Sequence, residues 1–335
     1  MNADALAWLL EPDEANPGVR YFALRNLLGR PEDDAEVVAA RRDVMQSGPV
    51  PKILAAQHPD GYWEKPGPGY STKYRGTTWQ LVFLANLGAD GSDARVRAAC
   101  DYVLAHTQTA NGGFGYARSG GERPPPPSSV IHCLNGNLLR ALIVLGSLDD
   151  PRLQRSIDWQ AKSITGEDAG LRYYATTPGP GFACGVNLGQ PCGWGANKAL
   201  RGLLAIPEAR RSASVVRALE AGAAFLLSRD PAVADYPYTG RISSTWFRLG
   251  FPLSYTSDVL ETTEVLVDLG YGADARLDHV FELILSKRDA GGRWPLENTL
   301  NGKMWADVET KGRPSKWVTL RALSVLRKAG RDERL

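Results

Sequence analysis

A short text recurs in this chain and limits what it can fold into. It reads Gln57-His-Pro-Asp-Gly-Tyr-Trp63, then Gln108-Thr-Ala-Asn-Gly-Gly-Phe114, then, with Arg in the place of Gln, Arg288-Asp-Ala-Gly-Gly-Arg-Trp294. The first copy follows the apolar run Ile53-Leu54-Ala55-Ala56 and precedes a Pro/Gly loop and a new helical pattern. Gly permits a corner, and the aromatic that follows it packs beneath a neighbouring helix. A repeated turn of this kind makes each unit a helix, a corner, a loop and a second helix. Trp63, Phe114 and Trp294 are therefore expected to be buried at equivalent corners.

Between the corners the apolar residues recur at helical spacing, and no period-2 alternation competes. Two helix types alternate. One is apolar nearly all round, as in Trp79-Gln-Leu-Val-Phe-Leu and Leu138-Leu-Arg-Ala-Leu-Ile-Val-Leu; the other is amphipathic, as in Asp93-Ala-Arg-Val-Arg. The first kind belongs inside and the second outside. About six of each, spaced roughly 50–60 residues apart, predict an all-α chain folded as an (α/α)6 toroid of inner and outer helices. Inner helices are expected near 17–28, 74–87, 132–145, 193–206, 257–269 and 315–329. No linker interrupts the period, so residues 1–335 read as a single toroid domain. Asp33-Asp34, Asp93 and Asp149-Asp150 sit at outer-helix starts and read as caps.

Composition removes several classes of function. A net charge of +2 gives no nucleic-acid footprint. Four cysteines in 335 residues are too few for a disulfide scaffold and fit a reducing compartment. The start carries acids and lacks the layout of a signal peptide, and no apolar run reaches spanning length. The expectation is a cytoplasmic protein with no transmembrane segment and no nucleic-acid partner.

The three Gln/Arg…Gly-x-aromatic turns resemble the QW repeats of squalene-hopene cyclases. More broadly, the chain resembles the toroids of terpenoid cyclases and protein prenyltransferase β-subunits over nearly its whole length. The resemblance implies a central cavity for an isoprenoid-like substrate, and the departures from it matter. The Asp-x-Asp-Asp string with which class II cyclases protonate an alkene does not occur, nor do the magnesium-binding acidic motifs of class I enzymes. The chain is also about half the length of a triterpene cyclase, so squalene cyclisation by the usual route is not expected.

The loops locate the chemistry. Outer-to-inner connections (61–73, 112–131, 166–191, 230–256 and 290–314) are long and rich in Gly, Pro and aromatics, as binding surfaces are. All deliver the chain to inner-helix N-termini, which should ring one mouth. Polar and aromatic residues recur there: Lys73 and Arg75; His132, Cys133 and Asn135; Cys192, Trp194 and Asn197; Ser257, Asp258 and Glu261; Lys316 and Trp317. Ser257 and Asp258 could equally be caps, and the cations a solvated rim. The loops add aromatics, among them Tyr70, Tyr173, Tyr174, Tyr238, Trp246, Tyr255 and Trp305, which suit an apolar substrate or a cationic intermediate, or merely pack the loops.

Cys184 and Cys192 flank one loop, and His132 and Cys133 open the preceding inner helix. Thiolates and an imidazole could hold zinc, but no C-x-x-C clip is present; the thiols could instead be inert packing or acid–base groups. Protein prenyltransferases hold zinc with Asp, Cys and His, and their local motif is not matched here.

The leading expectation is an enzyme, of lyase, isomerase or terpene cyclase kind, acting by acid–base chemistry on an isoprenoid-like or mainly apolar small molecule in the central cavity. Isomerisation, cyclisation, hydration and dehydration all fit. Asp258 would be the general acid, with His132, Cys133, Cys184 and Cys192 as partners. Arg75, Asn135, Trp194, Asn197, Trp246, Tyr255, Glu261 and Trp317 would bind substrate. No cofactor is expected on this reading. In its kinds of residue, the chain resembles linalool dehydratase-isomerase, a toroid with paired cysteines and a histidine. One alternative is a zinc-dependent, prenyltransferase-like enzyme using Cys/His ligands. The other is a non-catalytic toroid module, as in complement-type thioester domains, although Cys192-Gly193-Trp194-Gly195 is not their Cys-Gly-Glu-Gln. A closed, dry cavity would favour the enzymes and a filled ring the module.

Overall fold

A computed structural model describes residues 3–117, 123–167, 178–237 and 243–331. The helices are α1 (Ala3–Leu10), α2 (Pro17–Phe22, continued by a π-turn at Ala23–Leu27), α3 (Ala35–Gln46), α4 (Pro49–Ala55), α5 (Thr77–Leu87), α6 (Ala94–His106), α7 (His132–Val144), α8 (Pro151–Thr165), α9 (Gly193–Leu204), α10 (Ala213–Leu227), α11 (Val259–Asp268), α12 (Asp278–Ser286) and α13 (Lys316–Lys328). A pair of two-residue strands, β1 (Pro178–Gly179) and β2 (Ala183–Cys184), forms an antiparallel hairpin.

Six of these helices close a ring. α5 packs on α7, α7 on α9, α9 on α11, α11 on α13, and α13 on α2. α2 meets α5 where Gly18 abuts the Leu87 carbonyl; a Cβ there would come within 2.3 Å of it. The indole Nε1 of Trp317 donates to Asn16 Oδ1 at 3.0 Å, joining residues 301 positions apart. Outside the ring, α3 packs on α2, α6 on α5, α8 on α7, α10 on α9, α12 on α11 and α1 on α13. The chain is an all-α toroid of inner and outer helices. The patterning explains the sorting: every residue of α5 is buried, whereas α6 buries Val96, Ala99, Cys100 and Val103 and turns Arg95 and Arg97 outward. Asp34, Asp93 and Asp150 accept from backbone N–H groups at the starts of α3, α6 and α8, so these acids are caps.

The corners repeat in their hydrogen bonds. His58 N, Thr109 N and Asp289 N each donate to the carbonyl four residues on, all at 2.8 Å. Gly61, Gly112 and Gly292 all have positive φ, at 93°, 97° and 73°, where a side chain is strained. Trp63, Phe114 and Trp294 are all fully buried. Trp63 N donates to Thr77 Oγ1 and Trp294 N to Thr319 Oγ1, while their indoles donate to Ile53 O and Ile284 O. Gln57 and Gln108 tie their corners to the next outer helix, through Arg95 O and Arg152 O.

Two expectations shift. α5 begins at Thr77 rather than 74, because Gly76 lies against Gly69, where a Cβ would come within 2.1 Å of the Gly69 oxygen. Lys73 and Arg75 therefore precede the helix. The ring axis is also occupied. Residues 249–257 cross it: Phe251 stacks on Trp317 of α13 at 4.1 Å, Asn86 of α5 donates to Leu253 O, and Asn137 of α7 donates to Ser254 O.

Candidate functional site at the N-terminal mouth

The expected site residues divide into a structural set and a mouth set. Asp258 belongs to the first. It caps α11, accepting from Glu261 N at 2.7 Å, and accepts from Gly250 N at 2.9 Å. Both its oxygens also receive the Arg321 guanidinium, at 2.9 and 3.0 Å. It is buried and fully engaged by N–H donors, so it does not stand alone beneath aromatics as a general acid.

Glu261 is likewise spoken for. Burial pushes its carboxyl up, but Lys198 at 2.5 Å and Arg201 at 3.0 Å outweigh this and hold it down to about 2. Asn135 accepts from Phe114 N and donates to Gln160, which places it where Thr77 and Thr319 stand in the other corners. Asn197 donates to Thr262 Oγ1. Trp317 bridges Asn16 and Phe251, and Arg75 lies over the Trp305 ring at 4.8 Å. These contacts are those of packing and ring closure. His132 is buried against Phe182 and Trp159, with Nδ1 3.0 Å from Gln160 Nε2.

The thiols form the mouth set. The β1–β2 hairpin and the turn after it return the chain so that Cys184 N donates to Gln190 O and Cys192 N to Phe182 O. This sets the two side chains against each other. The Cys192 thiol donates to Cys184 and brings it down to about 6; burial opposes this, and the N–H groups of Asn187 and Val186 add to it. Cys192 is pushed well up by the same bond and by burial. Cys133, at the start of α7, is pushed up to about 11 by burial, with the Cys184 charge in reach. Cys192 also caps α9, its sulfur accepting from Gly195 N at 3.4 Å.

Aromatics wall this group. Lys73 Nζ lies 3.9 Å from the Tyr255 ring centre and 5.2 Å from that of Tyr70. Trp79 contacts Tyr70, Tyr74 and Tyr255, and Trp194 meets Tyr255 edge-on at 6.3 Å. Burial raises Tyr70 beyond the ordinary phenol range, and the charges of Cys133 and Cys184 add to the rise, which ties the aromatic wall to the thiols. A cavity of about 40 Å³ opens beside Cys192 and Trp194, closed by Tyr236 and Trp246. Among the described residues, Gln80 Oε1, Asn197 Oδ1 and Ser257 Oγ are buried at inner-helix starts without partners. Buried polar atoms of this kind take a water or a ligand group. Tyr173, Tyr174 and Tyr238 lie outside the described residues.

Among the described residues no three His, Cys, Asp or Glu side chains stand close enough to hold one metal ion. The zinc alternative therefore has no donor set there: Asp258 is held by Arg321, and His132 Nδ1 faces Gln160. Sequence reasoning missed the charged network of Arg140, Lys198, Arg201, Glu264 and Arg321. Its signal was present, since charges inside otherwise apolar inner helices must find partners.

No protein-family profile and no curated protein matches the chain. Among solved structures it is similar to the GH76 α-mannanase of Bacteroides thetaiotaomicron, at 12% identity over 96% of this chain and 86% of that one, with a TM-score of 0.48. It is also similar to the type II terpene cyclase MstE of Scytonema, at 15% identity over 99% and 97%, TM-score 0.43; that enzyme is also known in complex with its substrate, geranylgeranyl dihydroxybenzoate. A protein from Actinoplanes matches at 14% identity over 84% and 97%, TM-score 0.29. Likenesses this distant carry neither an activity nor membership of a family. No helix among the described residues is long and apolar enough to cross a membrane.

Proposed function

We propose that this toroid is an enzyme that works at its N-terminal mouth by acid–base chemistry on the Cys184–Cys192 pair. Its substrate would be a small, mainly apolar, isoprenoid-like molecule. What supports the reading is the hairpin return that seats Cys184 beside Cys192, Cys184 N donating to Gln190 O and Cys192 N to Phe182 O, with the neighbouring Cys192 thiol drawing Cys184 down and Cys192 itself pushed up. A base and an acid side by side can take a proton from one substrate atom and return one to another. That is the proton balance of an isomerisation, and of adding or losing water. Tyr70, Tyr74, Trp79, Trp194 and Tyr255 would supply the apolar wall.

The test is incubation with a panel of allylic isoprenoid alcohols and alkenes in D2O, with products read by mass spectrometry. Deuterium-bearing isomers or hydration products, lost in both Cys184→Ala and Cys192→Ala, are expected. No turnover across the panel, or turnover indifferent to both substitutions, overturns the reading.

The filled axis favours a second reading, a non-catalytic binding module. It predicts saturable binding of an apolar ligand at the mouth with no chemical change in it.

A further inference from the structure

The cavity beside Cys192 is small, and its walls are fixed. Tyr236 contacts the rings of Phe225 and Trp246, and its hydroxyl donates to Leu226 O at 2.7 Å. Trp246 is buried, and its indole donates to Pro231 O at 2.9 Å. Ser243 Oγ shares a hydrogen bond with Thr245 Oγ1 at 2.8 Å. The carbonyl of Pro237 accepts from Asn187 Nδ2 at 2.9 Å, which ties the cavity to the turn between the two thiols. The polar side-chain atoms of Tyr236, Ser243 and Trp246 are thus engaged, and the lining is mainly apolar with Cys192 in its wall. Gly193 lines it too. This glycine opens α9, and its backbone is not left-handed, so no conformation demands it. Space does not demand it either. A Cβ there would point at the cavity walls, meeting Tyr236 at 3.4 Å and Trp246 at 3.5 Å, which is ordinary contact. Helices generally favour alanine over glycine. What the glycine provides is the empty volume itself.

We infer that this cavity seats the branched apolar end of the substrate, an isopropylidene group, against Cys192. This rests on the reading of the mouth as the site of an isoprenoid-like molecule, and it names which end is held there and how large that end is. A water needs about 10–15 Å³, so a cavity of about 40 Å³ takes roughly three heavy atoms, as many as an isopropylidene group has. Apolar cavities stay dry and take apolar guests. With the wall's polar atoms engaged, an apolar end is favoured over a hydroxylated one. The rest of the molecule would lie outside the cavity, along the aromatic wall of the mouth.

The probes are prenyl alcohol, which carries the isopropylidene end, and allyl alcohol, which lacks both methyls. Their affinities are read by ligand-observed NMR, independently of turnover. Burying the methyls should make prenyl alcohol bind the wild type about tenfold more tightly than allyl alcohol. Gly193→Ala fills the cavity. It should fold, melt no lower than the wild type, and hold the two alcohols with equal affinity. Trp246→Phe enlarges the cavity. It should bind the diethyl homologue of prenyl alcohol more tightly than the wild type does, and it decides the matter if Gly193→Ala fails to fold. No preference between the alcohols in the wild type overturns the inference. So does a preference that survives unchanged in Gly193→Ala. The acid–base reading fails separately: prenyl alcohol seated as described, with nothing in the isoprenoid panel converted, would sink that reading and leave the seating intact. Conversion indifferent to Gly193→Ala would sink the seating and leave the acid–base reading intact.

Discussion

Arg321 of α13 grips Asp258 at the start of α11 with both arms of its fork, at 2.9 and 3.0 Å, and its other face holds Glu264 at 2.8 Å. The pair is buried and locks two neighbouring inner helices to the segment that crosses the axis, because Arg321 also donates to Gly250 O. Breaking a buried pair on one side leaves the other charge uncompensated. Asp258→Ala should therefore cost about 3–5 kcal/mol in denaturant unfolding. The double variant Asp258→Asn with Arg321→Met should cost less than the two single changes added together. If Asp258→Ala instead left the unfolding midpoint unmoved, the structural role would be wrong and the acid role would reopen.

Glu261 makes the acid limb of stability specific. Its folded carboxyl sits at about 2, below an ordinary value of 4.5. A depressed acid stabilises the fold fully above its unfolded value and loses that contribution as pH falls through its folded value. The loss should run between about pH 4.5 and 2, and should amount to something on the order of 3 kcal/mol. Glu261→Gln should flatten this part of the stability–pH curve while lowering the plateau. An unchanged acid limb in that variant would mean other carboxylates carry it.

The corners should matter for stability rather than turnover. Trp63→Ala and Trp294→Ala remove fully buried rings and should each cost about 3–5 kcal/mol. Thr77→Val and Thr319→Val keep volume but orphan a buried Trp N–H, which should cost about 1–3 kcal/mol. Equal losses at the two corners would be the signature of a repeat. A melting temperature indifferent to Thr77→Val would separate that hydroxyl from the corner.

The ring was legible in the sequence because its signals are local. Gly61, Gly112 and Gly292 mark corners by themselves, and helices buried all round read as apolar text. The inner spans predicted near 132–145, 193–206 and 315–329 match α7, α9 and α13 to within two residues. The interior was not legible because its partners are distant in the chain. Lys198 meets Glu261 63 residues on, and Asn86 meets Leu253 167 residues on. A residue such as Asp258 at a helix start has two readings, cap or catalyst, and only its partners separate them. The crossing segment 249–257 gives no periodic signal, so the filling of the axis could not be read from pattern.

The thiol pair gives the most direct measurement. Cys184 and Cys192 stand side by side, Cys184 drawn down by its neighbour and Cys192 pushed up, although the Cys192 sulfur also accepts from Gly195 N. Cys184 accepts from the Cys192 thiol and from the N–H groups of the turn that follows it, so charge settles there. Cys192 keeps the proton, pushed up by that bond and by burial. Alkylation by iodoacetamide follows the thiolate. Modification of Cys184, identified by peptide mass spectrometry, should reach half its maximal rate near pH 6. Cys133 should stay unreactive until about pH 11, and Cys100, pushed up to about 12 by burial, later still. Cys192→Ala removes the donor, so the Cys184 profile should move up toward an ordinary thiol. Cys192→Ser restores a hydroxyl donor and should keep much of the depression, which a loss of packing alone would not do. If Cys192 were labelled first, or if the Cys184 profile ignored both substitutions, the two thiols would not be poised in this way.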